Sequence, residues 1–191
     1  MEDLLKCGDY AGLAIYCEQQ ELKAPDGHTT ADVYGTLIGV YLLQNELDHA
    51  KLLWQRIPKS IKQSSGEIGD LWEIGKKLWQ RDFAAVYPLA HNASWPQYLV
   101  PIVTDLVARV RTRVMNLVGK AYSTISITDL CSLLGQTEQE VKQAAEGLEW
   151  EFDTSTGVCR PKPLPSPKPS ELLNHRERLA RLTDIVSFLE N

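Results

Sequence analysis

The chain has 191 residues, of which 43% are apolar and 24% charged. That balance is close to the globular average and excludes wholesale disorder. The length allows one domain, or a domain with an appendage, and a core that needs no disulfide or metal staple.

No apolar run reaches the ~18 residues of a membrane span, and Met1-Glu2-Asp3 opens with acid instead of the basic start of a secretory signal. A soluble, intracellular protein is expected. The net charge is −5, and residues 123–160 alone carry seven acids against two bases, while the segments on either side are nearly neutral. Cys7, Cys17, Cys131 and Cys159 form no Cys-x-x-Cys pair, and His28, His49, His91 and His175 stand singly. Reduced thiols and no metal site are expected.

Residues 1–95 read as a helical-repeat array. Val33, Leu37, Val40 and Tyr41 share one helical face, as do Leu47, Ala50, Leu53 and Trp54. Aligning Tyr10, Leu47 and Phe83 gives spacings of 37 and 36. Three positions later stand Leu13, Ala50 and Val86, and seven later Cys17, Trp54 and Ala90. Such a period suits stacked helical hairpins. Asp9, Asp48 and Asp82 fall at helix starts, where acids cap. Pro25-Asp26-Gly27 followed by Thr29-x-x-Asp32 predicts a turn into a capped helix, Ile57-Pro58 ends a helix, and Ser64-Ser65-Gly66 separates it from the next. Trp72, Trp79 and Trp95 are expected to pack between helices.

Residues 96–122 form a connecting helix, regular from Pro101 to Ala121. Val103, Val107, Val110, Val114, Leu117 and Ala121 follow steps of four and three, a heptad-like stripe. Arg109, Arg111 and Arg113 crowd its middle and are expected on a solvated face.

Residues 123–160 change texture. Tyr122 to Ile127 alternates like a short strand. Thr128–Leu134 is a helical turn or two, closed by Gly135, and Thr137-Glu138-Gln139-Glu140 is a capping box that starts a second helix turning Val141, Ala144, Ala145 and Leu148 inward. Trp150–Asp153 and Gly157–Arg160 flank a hairpin turn. The order is that of a winged helix. Its second helix offers Glu138, Glu140 and Glu146 against Lys142, so phosphate neutralisation, on which duplex affinity depends, is missing. A protein-facing module fits better than a nucleic-acid reader, although a regulator using Arg109, Arg111 and Arg113 stays open.

A helical array leading through a long helix into a winged helix resembles the PCI-domain family, found in the proteasome lid, the COP9 signalosome and translation initiation factor three. The strings Tyr41-Leu42-Leu43-Gln44-Asn45, Ala50 to Pro58, Ile74 to Phe83, Ala121 to Ile125 and Leu179 to Asn191 are similar to the small PCI subunits of the signalosome. The fold implied is mostly α: a TPR- or HEAT-like array joined to a small α+β winged-helix subdomain, with a C-terminal amphipathic helix. The resemblance also implies a non-catalytic scaffold subunit of the complex that deneddylates cullin–RING ubiquitin ligases, present in nucleus and cytoplasm. Its partners would be other signalosome subunits and, indirectly, the ligases, with no nucleic acid, no membrane and no cofactor. The equivalent small subunit of the lid or of the initiation factor is the nearest alternative.

Residues 161–169 place proline at every second position, which favours polyproline II at ~3.1 Å per residue, about 28 Å in all. P-x-x-P never occurs in it, so a spacer is expected. Beyond it, residues 170–191 form an amphipathic helix whose stripe runs through Leu172, His175, Leu179, Leu182, Val186 and Leu189, widened by Ile185 and Phe188. A lone helix of that length is marginal in water, so the stripe must be covered, and a bundle with other subunits is expected to cover it. The candidate contact residues are Ser123, Ile125, Ile127, Trp150, Phe152 and Val158 on the winged helix, and Leu172, Leu179, Leu182, Ile185, Val186, Phe188 and Leu189 on the terminal helix. No phosphate loop, G-x-S-x-G elbow, His-Glu-x-x-His or His-x-His is present, so no enzyme is expected.

Overall fold

The computed structural model describes residues 8–24, 28–148, 150–153 and 157–162, together with 182, 183 and 186. The fold is mostly helical. Among the described residues seven helices come first: α1 (Tyr10–Lys23), α2 (Ala31–Gln44), α3 (Leu47–Arg56), α4 (Lys59–Ser64), α5 (Gly66–Trp79), α6 (Phe83–Asn92) and α7 (Val100–Ala121). A small module follows, made of β1 (Ile125–Ser126), α8 (Ile127–Leu134), α9 (Glu138–Glu146), β2 (Glu151–Asp153) and β3 (Val158–Arg160). Its three strands form one antiparallel sheet in the order β1-β3-β2.

Helix α2 is the axis of the array. Every residue from Val33 to Leu43 is buried, because α1, α3, α5 and α7 all pack on it. The single apolar face expected from Val33, Leu37, Val40 and Tyr41 is thus only part of a helix that is apolar all round, as a fully enclosed helix must be. Close approach of α7 needs Gly39: a Cβ there would stand 2.9 Å from Ile102 Cγ2.

Tyr10, Leu47 and Phe83 are each the first residue of a helix, and Leu13, Ala50 and Val86, three positions on, are fully buried. Asp9 and Asp82 cap their helices by accepting from the Gly12 and Ala85 amides. Asp48 does not. It sits inside the first turn of α3, whose N-cap is Glu46, so there its charge faces the helix dipole without a cap bond. The cap of α2 is also displaced, to Thr30, which makes no side-chain cap bond. Pro58 starts the short α4 as well as ending α3, and only Ser65 separates α4 from α5.

Three tyrosine hydroxyls donate to carboxylates: Tyr10 to Asp105, Tyr41 to Glu18 (2.7 Å) and Tyr98 to Glu67 (3.5 Å). The first two fasten α1 to α7 and α2 to α1. Burial first, then the Asp105 carboxylate, pushes the Tyr10 phenol up to about 12.

Along the expected stripe of α7, Val103, Val107, Val110 and Val114 are buried and then Val118, with Leu117 and Ala121 exposed; Ile102, Leu106 and Met115 widen the buried face. The 3.6-residue period carries the stripe away from a strict heptad within three turns. Trp54 and Trp72 stack at 5.3 Å between ring centroids, and Trp95 donates to the Ala90 carbonyl at 2.7 Å. Trp79, by contrast, is 51% exposed, which corrects the expectation that it packs between helices. Among the described residues no helix is long and apolar enough to cross a membrane.

Candidate interaction surfaces

The small module is built by local signals. Ser126 caps α8 by accepting from the Asp129 amide, and Gly135 ends it in the left-handed region at φ 57°. The capping box at Thr137 and Glu140 is formed. The Thr137 amide first, then its hydroxyl, donating to the Glu140 carboxylate at 2.9 and 3.0 Å, hold that carboxyl below its ordinary value. Val141 and Ala145 point inward with Leu148 half-buried, while Ala144 is exposed. The strand expected over Tyr122–Ile127 shrinks to Ile125–Ser126, opposite Cys159 and Val158 of β3, and α8 begins at Ile127.

Tyr87, Arg111 and Gly135 join this module to the array. The Tyr87 hydroxyl donates to the Leu133 carbonyl at 3.0 Å. Arg111 lies over the Tyr87 ring at 5.4 Å and donates to the Leu134 and Gly135 carbonyls at 3.2 and 3.4 Å. These are carbonyls that a helix end leaves without intrahelical donors, so a cation there also opposes the negative end of the α8 dipole. Burial pushes the Tyr87 phenol up to about 12 against the Arg111 charge, which pulls the other way.

Of the three arginines, Arg109 is exposed as expected, while Arg111 and Arg113 are half-buried, which corrects the expectation of a fully solvated face. Arg109 lies over the Tyr10 ring at 5.4 Å, Arg111 closes the joint, and Arg113 donates to the Asn45 side-chain oxygen at 2.7 Å. On α9, Lys142 pairs with Glu138 at 2.6 Å. No free cation of that helix faces a phosphate backbone among the described side chains.

The candidate residues of the module divide by the pleat of the sheet. Ile125 and Phe152 both lie opposite Cys159. Ile125, Ile127 and Trp150 are buried in the chain's own core and Phe152 packs against it, so these side chains hold the sheet in place. Val158 is half-buried on the alternate face, and Ser123 is exposed just before β1. Among the described residues β1 and β2 each pair only with β3, which leaves two outer edges. The chain leaves the module along β2: Trp150 Nε1 donates to the Lys162 carbonyl at 3.1 Å, and Lys162 pairs with Glu151 at 3.3 Å. Of the terminal stripe, Leu182 and Val186 are 58% and 50% exposed. Leu172, Leu179, Ile185, Phe188 and Leu189 lie outside the described residues, as do the proline spacer from 163 on and the turn at 154–156.

Among the described residues no group of three or more His, Cys, Asp or Glu could hold a metal ion. Cys17 and Cys159 are buried thiols pushed up to about 11 by desolvation, unreactive as nucleophiles at neutral pH. The Tyr87–Arg111–Gly135 joint was not legible in the sequence, since no spacing rule links residues so far apart in the chain. The only signal was Gly135 itself, expected there merely as a helix stop.

The family model described as CSN8/PSMD8/EIF3K matches residues 28–171. The chain is 39% identical to a Xenopus laevis protein named COP9 signalosome complex subunit 8, over 92% of this chain and 89% of that one. It is 37% identical to the Danio rerio protein of the same name, over 94% and 93%, and 28% identical to that of Dictyostelium discoideum, over 98% and 95%.

Proposed function

Because the chain belongs to the CSN8/PSMD8/EIF3K family, we propose that it is a subunit of the COP9 signalosome, and a scaffold in it without chemistry of its own. The observation that carries this reading is the 39% identity over 92% of the chain to a signalosome subunit. Relatives bearing that name favour the signalosome over the proteasome lid or the initiation factor. In this reading the assembly deneddylates cullin–RING ligases, in nucleus and cytoplasm, and this chain contributes surfaces.

Two kinds of surface are available. The outer edges of β1 and β2 can add strands from neighbouring winged helices, with Ile125, Ile127, Trp150 and Phe152 fixing the sheet from beneath and Ser123 and Val158 nearer the surface. The terminal helix can enter a shared bundle through Leu172, Leu179, Leu182, Ile185, Val186, Phe188 and Leu189. The exposure of Leu182 and Val186 supports that role. The engaged state of Arg109, Arg111 and Arg113 disfavours a nucleic-acid regulator.

The test is purification of the tagged full chain from cells at native conditions, followed by mass spectrometry and a cullin deneddylation assay. A stoichiometric multi-subunit particle that deneddylates cullins, with the isolated chain inactive, is expected. A lid or initiation-factor particle, or the chain alone or on nucleic acid, overturns the reading.

A further inference from the structure

An open groove of about 470 Å³ lies between the turn after α2, the turn joining α5 to α6, and the second half of α7. Its floor is apolar, made by Leu47, Leu78, Trp79, Phe83 and Leu117. Trp79 and Leu117 are 51% and 47% exposed there, an arrangement that burial by a partner would favour. Its wall carries Arg81, Arg113 and Lys120, and no carboxylate lines it.

Of the acids nearest in sequence, Asp48 is exposed and does not line the groove, and two others are already committed. Asp82 caps α6 and pairs with Lys77 at 3.2 Å, and Glu46 pairs with His49 at 2.8 Å. Among the described residues none of the three wall cations has a carboxylate partner; Arg113, half-buried, has the neutral Asn45 side-chain oxygen. Burial, then the Arg109 charge, lowers the Arg113 pKa, as befits a cation left without its counter-charge.

Backbone conformation adds an independent sign. Arg81 has φ 59°, the left-handed conformation at a helix end where glycine is the default. A long charged residue held there places a guanidinium at the rim of the groove, where glycine would fold more easily.

We propose that this groove docks an acidic amphipathic segment of a protein partner. An apolar side chain enters between Trp79, Phe83 and Leu117, and flanking carboxylates meet Arg81, Arg113 and Lys120. A nucleic acid would need cations along an extended track, with bases stacking on open rings. Here the cations gather at one wall over an apolar floor, and Lys51 already covers the Trp79 ring at 5.0 Å. The chain's own residues 170–191 carry four acids against three arginines, a net charge of only −1 with which to complement three wall cations.

The test uses the full chain and fluorescence anisotropy with four probes. The first is a 16-residue peptide with a leucine–phenylalanine face and four glutamates, and the second is the same peptide with lysines for the glutamates. The third is a synthetic peptide of residues 170–191, and the fourth a single-stranded oligonucleotide. The acidic probe is expected to bind at least ten-fold tighter than the other three. Lys120→Glu should weaken it by about ten-fold. Arg81→Gly should weaken it too, while raising Tm, so that lost binding cannot be lost folding. Equal binding of the acidic and lysine probes, a preference for the oligonucleotide or the terminal peptide, or unchanged affinity in both variants overturns the proposal.

Discussion

Replacing Gly135 by alanine strikes the joint between array and module at its tightest point. The added Cβ would stand 2.3 Å from Tyr87 Cδ2, 2.5 Å from Cγ and 2.9 Å from Cβ, at a residue whose φ is 57°. Left-handed strain costs about 1 kcal/mol for a residue with a Cβ. Displacing a buried ring costs a further ~1–3 kcal/mol, because the Tyr87 hydroxyl bond and the Arg111 contact on the ring must move with it. Gly157→Ala separates the two costs, since Gly157 also has a positive φ of 65° but nothing within 4 Å of its would-be Cβ.

At roughly 2–4 °C per kcal/mol for a chain of this size, Gly157→Ala should lower Tm by about 2–4 °C and Gly135→Ala by about 5–15 °C, read by circular dichroism. In a Tyr87→Ala background the gap between them should close, since the ring that clashes is gone. Equal drops in Tm for the two single variants would refute the reasoning.

Arg111→Ala removes charged hydrogen bonds to the Leu134 and Gly135 carbonyls and should cost about 1–3 kcal/mol; hydrogen exchange should rise in 127–136 while α2 stays protected. Thr137→Ala breaks the capping box at about 1 kcal/mol. The Glu140 carboxyl titrates below its ordinary 4.5 in the folded chain, so its contribution is present above that value and is lost as the pH falls below it. The backbone N–H of Thr137, the larger cause of that lowering, survives in Thr137→Ala, so this variant should flatten the acid limb of a stability–pH curve only in part. Glu140→Gln should remove its share entirely, and an unchanged limb in that variant would contradict the linkage. At the alkaline end Tyr10, Tyr34, Tyr41, Tyr87 and Tyr98 are all raised, chiefly by burial, with Tyr10 and Tyr87 near 12. Their stabilisation is complete below pH 10 and is lost as the pH rises towards 12. Absorbance at 295 nm should show these phenols ionising with unfolding; reversible titration of all seven tyrosines near pH 10 would contradict it.

What could be read from the sequence was what neighbouring residues decide together. Tyr10 and Phe83 open helices because an acid that caps precedes an apolar face, Leu47 opens one on its apolar face alone, and Thr137–Glu140 is a box wherever a helix starts there. Those signals span a few residues and need no partner. The misreadings have a common cause as well. The burial of α2 on all sides, the contacts of Arg109 and Arg111 with aromatic rings and of Arg113 with the Asn45 side chain, and the exposure of Trp79 all depend on which helices come together in space. Periodicity identifies an apolar face but not how many neighbours cover it. The contact residues of the module illustrate the same limit: Ile125 and Trp150 read as candidates because they are large and apolar, and those properties serve this chain's own core first.

Deletion of residues 170–191 tests most directly the claim that this chain works by assembly. Tagged full-length and 1–169 chains would be expressed side by side and fractionated natively by size, with subunit stoichiometry read by mass spectrometry. The account predicts that the full chain migrates with the multi-subunit particle and the truncated chain, still folded, migrates alone. Stoichiometric incorporation of the truncated chain would contradict it.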